Sequence, residues 1–383
     1  MTITSPQGFR AAGVTAGLKA SGKPDVALVV NDGPSDVAAA VFTTNRCKAN
    51  PVLWSEQVMQ GRKARAVVLN SGGANCYTGP EGFQNTHASA ELVADKLGIG
   101  AIDVVVCSTG LIGEQLQADK LMAGITEAAA GLSATGGPAA AEAIMTTDTR
   151  SKEALREGGG WSIGGMAKGA GMLAPALATM LVVVTTDAQV EADTADRALR
   201  AATRVTFDRL DSDGCMSTND TVLLMCSGAS GASPDEAEFT ARLTEVCHDL
   251  AQQLLGDAEG ADHDIAIEVV NAATEDDAVE VGRAIARSNL FKTAVFGKDP
   301  NWGRILASVG TTSAAFEPDA LDVAFNGVWI CKDGQPGEPR DKVDLTGREV
   351  SVVVDLKAGT EKATIWTNDL THAYVHENSA YST

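Results

Sequence analysis

The chain has 383 residues, 44% of them hydrophobic, enough for one large domain or about two with a packed core. Its formal net charge of −20 argues against nucleic acid or an anionic membrane as partner, since both call for a basic face. No stretch reaches about 18 consecutive apolar residues, and the opening MTITSPQGFRAAGV has neither a charged n-region nor an apolar h-region, so a soluble cytoplasmic protein is the expectation.

Strand-like apolar runs fall at residues 26–30, 66–69, 104–107, 181–186, 222–226, 265–270 and 350–356, with helical patterns between several of them. This predicts a mixed α/β protein. Thr109-Gly110 follows the third run, where backbone amides and a hydroxyl can point at a ligand. On residues alone, a helix-capping turn reads equally well there. Glycine-rich stretches at 133–138 and 158–165 read as loops, and Lys168 stands on another glycine-rich loop. Ser233-Pro234-Asp235-Glu236 predicts a helix capped by Ser233, with a stripe of Phe239, Leu243, Val246, Leu250 and Leu254 and a stop at Gly256. Thr274 opens a second helix with the stripe Ala278, Val281 and Ile285. Neither face carries chemistry, so both helices are scaffold. The seven cysteines, Cys47, Cys76, Cys107, Cys215, Cys226, Cys247 and Cys331, form no C-x-x-C pair and read as reduced core thiols, with no structural zinc or other metal expected.

The most informative segment is 168–188, KGAGMLAPALATMLVVVTTDA. Thr179 is the one hydroxyl residue in a long apolar run that ends as a β-branched strand. Most threonines in such runs are ordinary strand residues. A threonine hydroxyl is also a weak nucleophile that needs a base. None of the five histidines, His87, His248, His263, His372 and His376, is near it in sequence. Cleavage before Thr179 would free its own α-amine, whose pKa of about 7.7 to 8.0 leaves a useful neutral fraction. That is the threonine variant of the nucleophile–base pair.

Other motifs compete. Gly169-x-Gly171-x-x-Ala174 fits a dinucleotide fingerprint and so an oxidoreductase, but Pro175 and a strand follow where a helix should open. Asp211, Asp213 and Gly214 look like part of a calcium loop, with Arg209 where the first ligand belongs. No GxxxxGK[ST] phosphate loop exists.

The whole string around Thr179 resembles the self-cleavage segment of the ornithine acetyltransferase family, the bifunctional glutamate N-acetyltransferases of arginine biosynthesis. Ordered landmarks extend the resemblance along the chain: VFTTN at 41–45, NSGGAN at 70–75, STGLIGE at 108–114, MTTDT at 145–149, STNDT at 217–221, GKDPNWGR at 297–304 and the terminal ENSAYST. The resemblance implies a layered αββα-type sandwich, similar to but distinct from N-terminal nucleophile hydrolases. It implies a cut between Ala178 and Thr179, giving chains 1–178 and 179–383 that assemble as an α2β2 heterotetramer. Thr179 is then the nucleophile, Thr109 and Gly110 the oxyanion hole, and Thr146, Lys168, Thr179, Glu259, Asn378 and Thr383 the substrate contacts. The implied reaction moves acetyl from N2-acetylornithine to glutamate with no cofactor, and leaves open acetyl-CoA as a second donor. Before the cut, Ala176-Leu177 depart from the family's usual pair. A self-cleaving peptidase or amidase whose acyl-enzyme is resolved by water is the nearest rival, and a self-processed binding protein a more distant one.

Overall fold

The computed structural model describes residues 2–172 and 180–380. Ala174, Pro175, Ala176, Leu177, Ala178, Thr179 and Thr383 therefore lie outside the described residues.

The first part of the chain runs β1 (Phe9–Val14), β2 (Val26–Asn31), β3 (Ala38–Phe42), α1 (Asn50–Met59), β4 (Ala66–Asn70), α2 (Gly79–Leu97), β5 (Val104–Ser108), α3 (Ala118–Ala130), α4 (Gly137–Ala143), β6 (Lys152–Glu157) and β7 (Ser162–Lys168). β8 (Leu181–Thr186), α5 (Ala192–Val205), β9 (Thr221–Cys226) and α6 (Glu236–Leu255) follow. The last part holds β10 (Asp264–Ala272), α7 (Glu275–Ala286), α8 (Asn289–Phe296), α9 (Trp302–Val309), β11 (Asp322–Phe325), β12 (Val328–Lys332), β13 (Gln335–Pro336), β14 (Glu349–Asp355), β15 (Glu361–Asn368) and α10 (His372–Ala380). Every strand-like run in the sequence is a strand.

Two sheets make the αββα sandwich. One is ordered β1-β2-β4-β5 and the other β3-β9-β8-β7-β6. Side chains alternate across a strand, and the second sheet sorts accordingly. Met166, Leu181, Val183, Leu223 and Met225 share a core with the first sheet and α2 and α3. Ala167, Val182, Val184, Val222 and Leu224 share another with α5 and α6. The parallel pairs β4–β5 and β8–β9 are bridged by α2 and α5, as parallel crossovers require.

A third sheet, β13-β12-β11-β14-β10-β15, closes over its own core, in which Ile267, Val269 and Val352 meet Val281 and Ile285 of α7. Packing thus adds a boundary between α6 and β10 that the sequence did not announce. The proposed cut at 178/179 is of another kind. It falls between β7 and β8, which pair antiparallel from Ile163↔Thr186 to Lys168↔Leu181.

Several local expectations need correction. Asp235, not Ser233, caps α6, its side chain accepting from the Glu238 N–H, while Thr274 caps α7 as expected. Gly164 and Gly165 belong to β7 rather than a loop, and they are glycines there for space, since a Cβ would stand 2.6 Å from the Thr2 carbonyl oxygen and 2.8 Å from Leu250 Cδ1 respectively. Gly137 and Pro138 open α4 instead of extending a loop. All seven cysteines are free, but Cys47 and Cys215 are exposed rather than in the core.

Candidate functional site

Lys168 ends β7 instead of riding a loop, and its side chain is 1% exposed. Its Nζ donates to Thr109 Oγ1 at 3.1 Å. Burial pushes the ammonium down, opposed chiefly by the charge of Asp148. An unsatisfied buried cation is costly, so a fully enclosed lysine beside a hydroxyl is equipped to hold an anion.

Thr109 is buried just past β5, and the next helix begins only at Ala118, so it caps nothing. Four landmarks meet behind it. The Thr109 N–H donates to the Asn70 carbonyl, Asn70 Nδ2 donates to Ser108 Oγ at 2.6 Å, and Asn219 Nδ2 reaches both the Ser108 and Ala74 carbonyls. Thr43 Oγ1, from VFTTN, ties to the Ser217 carbonyl at 2.7 Å. Gly110 takes φ +132°, and a Cβ there would come within 2.9 Å of Gly73 backbone atoms. NSGGAN and STNDT are thus the buttress of the Thr109-Gly110 turn. A braced turn is what an oxyanion hole demands, since its donors must not reorganise during reaction.

Below Lys168 lies a buried ionic group that sequence reasoning missed. Lys152 Nζ bridges Asp148 Oδ1 and Asp257 Oδ2, each at 2.6 Å, with all three side chains at most 4% exposed. Asp148 Oδ1 also accepts from the Gly169 N–H at 2.7 Å, and its Oδ2 from the Thr146 N–H at 2.9 Å. Burial opposes the Asp148 charge, but Lys168 and Lys152 prevail and hold the carboxyl below its usual value. Asp148 sits inside the MTTDT landmark, which was the available signal. Lys152 and Asp257 carried none, because their partnership spans 105 residues.

This group aligns the loop of Thr146 with that of Glu259. Thr147 Oγ1 donates to Glu259 Oε1 at 2.8 Å, and the Glu259 N–H to the Ala170 carbonyl at 2.9 Å. A Cβ on Gly171 would stand 2.7 Å from the Glu259 carboxylate. Thr147, Thr149, Asp257, Glu259, Arg348 and Glu377 line a cavity of about 400 Å³, a size suited to a small molecule. Glu377 is on α10, which is held against Gly260 so closely that a Cβ there would meet the Tyr374 nitrogen at 2.2 Å. Asn378, the next residue, is exposed, and its Nδ2 donates within α10 to the Tyr374 carbonyl. The described residues therefore bring Thr109, Gly110, Thr146, Lys168 and Glu259 into one region, with the C-terminal helix at its edge.

On the far side, the Met180 N–H donates to Asp220 Oδ1 at 2.9 Å. Asp220 is fully buried, and burial pushes its carboxyl well above the usual range against the pull of the Met180 N–H and of Lys168. The residue following Thr179 is thus fixed by a side chain of the STNDT landmark. Gly169 and Gly171 follow β7, and among the described residues the next element is the strand β8, not the helix that a dinucleotide fold opens at this point.

A profile of the ArgJ family matches residues 10–383. The arginine biosynthesis bifunctional protein ArgJ of Streptomyces avermitilis is 65% identical, with all of both chains covered. Among solved structures, ornithine acetyltransferase complexed with ornithine from Mycobacterium tuberculosis is 53% identical over 47% of this chain and 96% of that one, with a TM-score of 0.45. The arginine biosynthesis bifunctional protein of Bacillus halodurans is 36% identical over 52% of this chain and 98% of that one, with a TM-score of 0.50. Landmarks that converge on one buried turn, and identity running from end to end, have a single source: this chain belongs to the ArgJ family.

Proposed function

We propose that the chain cleaves itself between Ala178 and Thr179 and then moves acetyl from N2-acetylornithine to glutamate, a step of arginine biosynthesis, in the cytoplasm. The buried Lys168–Thr109 hydrogen bond carries this reading, because it joins an anion-holding cation to a braced oxyanion turn. In the first stage the Thr179 hydroxyl attacks the Ala178 carbonyl, the acyl group shifts from nitrogen to oxygen, and water hydrolyses the ester. In the second the hydroxyl, its proton passing to the freed α-amine, attacks the acetyl carbonyl of N2-acetylornithine. Thr109 and Gly110 stabilise the oxyanion, and the ammonium returns its proton to the departing ornithine nitrogen. The glutamate amine then takes the acetyl group from Thr179.

Lys168 and Thr146 hold the substrate carboxylate end, and Glu259 pairs with the ornithine side-chain ammonium. Asn378 and Thr383 close the site from the C-terminus. No cofactor takes part. The word bifunctional in the relatives' names favours acetyl-CoA as a second donor. The matched Bacillus halodurans chain, covered almost whole by about half of this one, is the size that processing leaves, which supports the cut. The two products pair as an α2β2 assembly.

Intact mass and N-terminal sequencing of purified protein test the first stage. Fragments meeting at 178/179, with Thr179→Ala whole and inactive, are the expected result; a Thr179→Ala chain that still cuts or turns over rules out this nucleophile. Initial rates with both substrates test the second. Parallel lines and a trappable acetyl-enzyme are expected, whereas intersecting lines without one would exclude the double displacement. Acetate released in place of N-acetylglutamate would indicate a hydrolase.

A further inference from the structure

The proposed reaction sets one pocket a problem of charge. The donor carries a side-chain ammonium and the acceptor a second carboxylate, yet Glu259 suits only the ammonium. A site serving both needs a cation that can meet the second carboxylate.

The geometry points to Lys19 as the residue that recognises the side-chain carboxylate of the acceptor, an assignment that rests on the transfer reading above. Lys19 Nζ donates to the Met145 carbonyl at 2.6 Å and the Pro24 carbonyl at 2.8 Å. An ammonium has three N–H donors, so one remains for a ligand. Met145 directly precedes Thr146, so the Lys19 charge is set against the segment that runs on through Thr147, whose hydroxyl bonds Glu259.

The backbone of Lys19 is as firmly set as its tip. Buried Asp25 accepts the N–H groups of Ala16, Leu18 and Lys19 at 2.6, 2.6 and 3.0 Å. Leu18 packs on Gly72 so tightly that a Cβ there would stand 2.3 Å from Leu18 Cβ. Gly72 belongs to the landmark that braces Gly110. Lys19 is therefore anchored between the landmark behind the Thr109-Gly110 turn and the residue before Thr146. Its ammonium is pushed down to about 8, by burial first and by repulsion from Lys168 besides, with Asp25 and Asp148 opposing. Two lysines near enough to repel each other are relieved by a ligand carrying two carboxylates, which is what glutamate supplies and N2-acetylornithine does not. The alternative, that Lys19 only ties the 16–25 loop to Met145, predicts damage to both half-reactions alike.

In a double displacement each substrate's kcat/KM reports its own half-reaction, so the two roles separate kinetically. Lys19→Met, Lys19→Gln and Lys19→Arg would be made in the full chain and assayed after processing, with glutamate and N2-acetylornithine varied in turn. The expected result for Lys19→Met is a ratio of glutamate to acetylornithine kcat/KM that falls roughly 10- to 100-fold, the range for losing one charge-assisted contact. Lys19→Arg recovers most of that ratio. Equal losses for the two substrates, an unchanged ratio, or an arginine variant as impaired as the methionine one would overturn the assignment. So would failure of both Lys19→Met and Lys19→Gln to fold, which would give Lys19 to the scaffold alone. A wild-type enzyme that forms no N-acetylglutamate from N2-acetylornithine would instead overturn the transfer reading, and the assignment with it.

Discussion

Thr109 shows how much a single residue can owe to its surroundings. Alone it could have been a cap; in the fold it has no helix to cap and a buried ammonium donating to its hydroxyl. Thr109→Ala should lower acetyl-transfer turnover about 10²- to 10³-fold, the usual cost of one oxyanion donor. Steady-state rates of the purified, processed variant check this, and an unchanged kcat would remove Thr109 from the mechanism. Lys168 was legible as a motif residue but not as a buried one. A lysine among glycines reads as solvated, and its enclosure depends on Thr109, which lies 59 residues away. The same distance problem hid Lys152 and Asp257, whereas Asp148 was at least within a landmark.

Among the elements, strands were the most legible because β-branched apolar runs buried on both faces leave little ambiguity, as in β2, β4, β5, β8 and β9. Helix starts were less so. Ser233 and Asp235 are both good caps, and Pro234 favours the first helical position, yet the helix begins after Asp235. The aspartate side chain can accept from the Glu238 N–H at 2.8 Å and, as an anion, also favours the helix N-terminus. Asp235→Ala should therefore destabilise the protein by about 1 kcal/mol, and Ser233→Ala by less than about 0.5 kcal/mol. Urea melts of the two variants distinguish them; equal midpoints would mean that the cap is not where the hydrogen bond places it. Gly164 and Gly165 misled for a different reason, since glycine marks both loops and places where another chain segment presses on a strand.

Across the whole molecule, the sequence conveyed the α/β class and, through the family resemblance, the sandwich, but not that the last third has a core of its own around Ile267 and Val281. Strand and helix patterns look alike whichever core they serve. The proposed cut crosses neither core boundary. It divides the second sheet, leaving β3, β6 and β7 to one product and β8 and β9 to the other. Five strands and the cores on both faces of that sheet then hold the products together. The processed chains should co-elute on gel filtration until urea unfolds the sheet; fragments that part in native buffer would contradict this.

Under the proposed cut, the β7–β8 pairing would also give the molecule a memory of having been whole. The uncut chain brings these strands together within one molecule, at a rate that does not depend on how much protein is present. Once cut, the same pairing is an encounter between two partners, slower the more dilute they are, and each searches with half a sheet exposed. The uncut chain should refold from denaturant where the cut products aggregate or fail, so that the peptide bond the proposed processing would spend is also the one that makes the fold reachable.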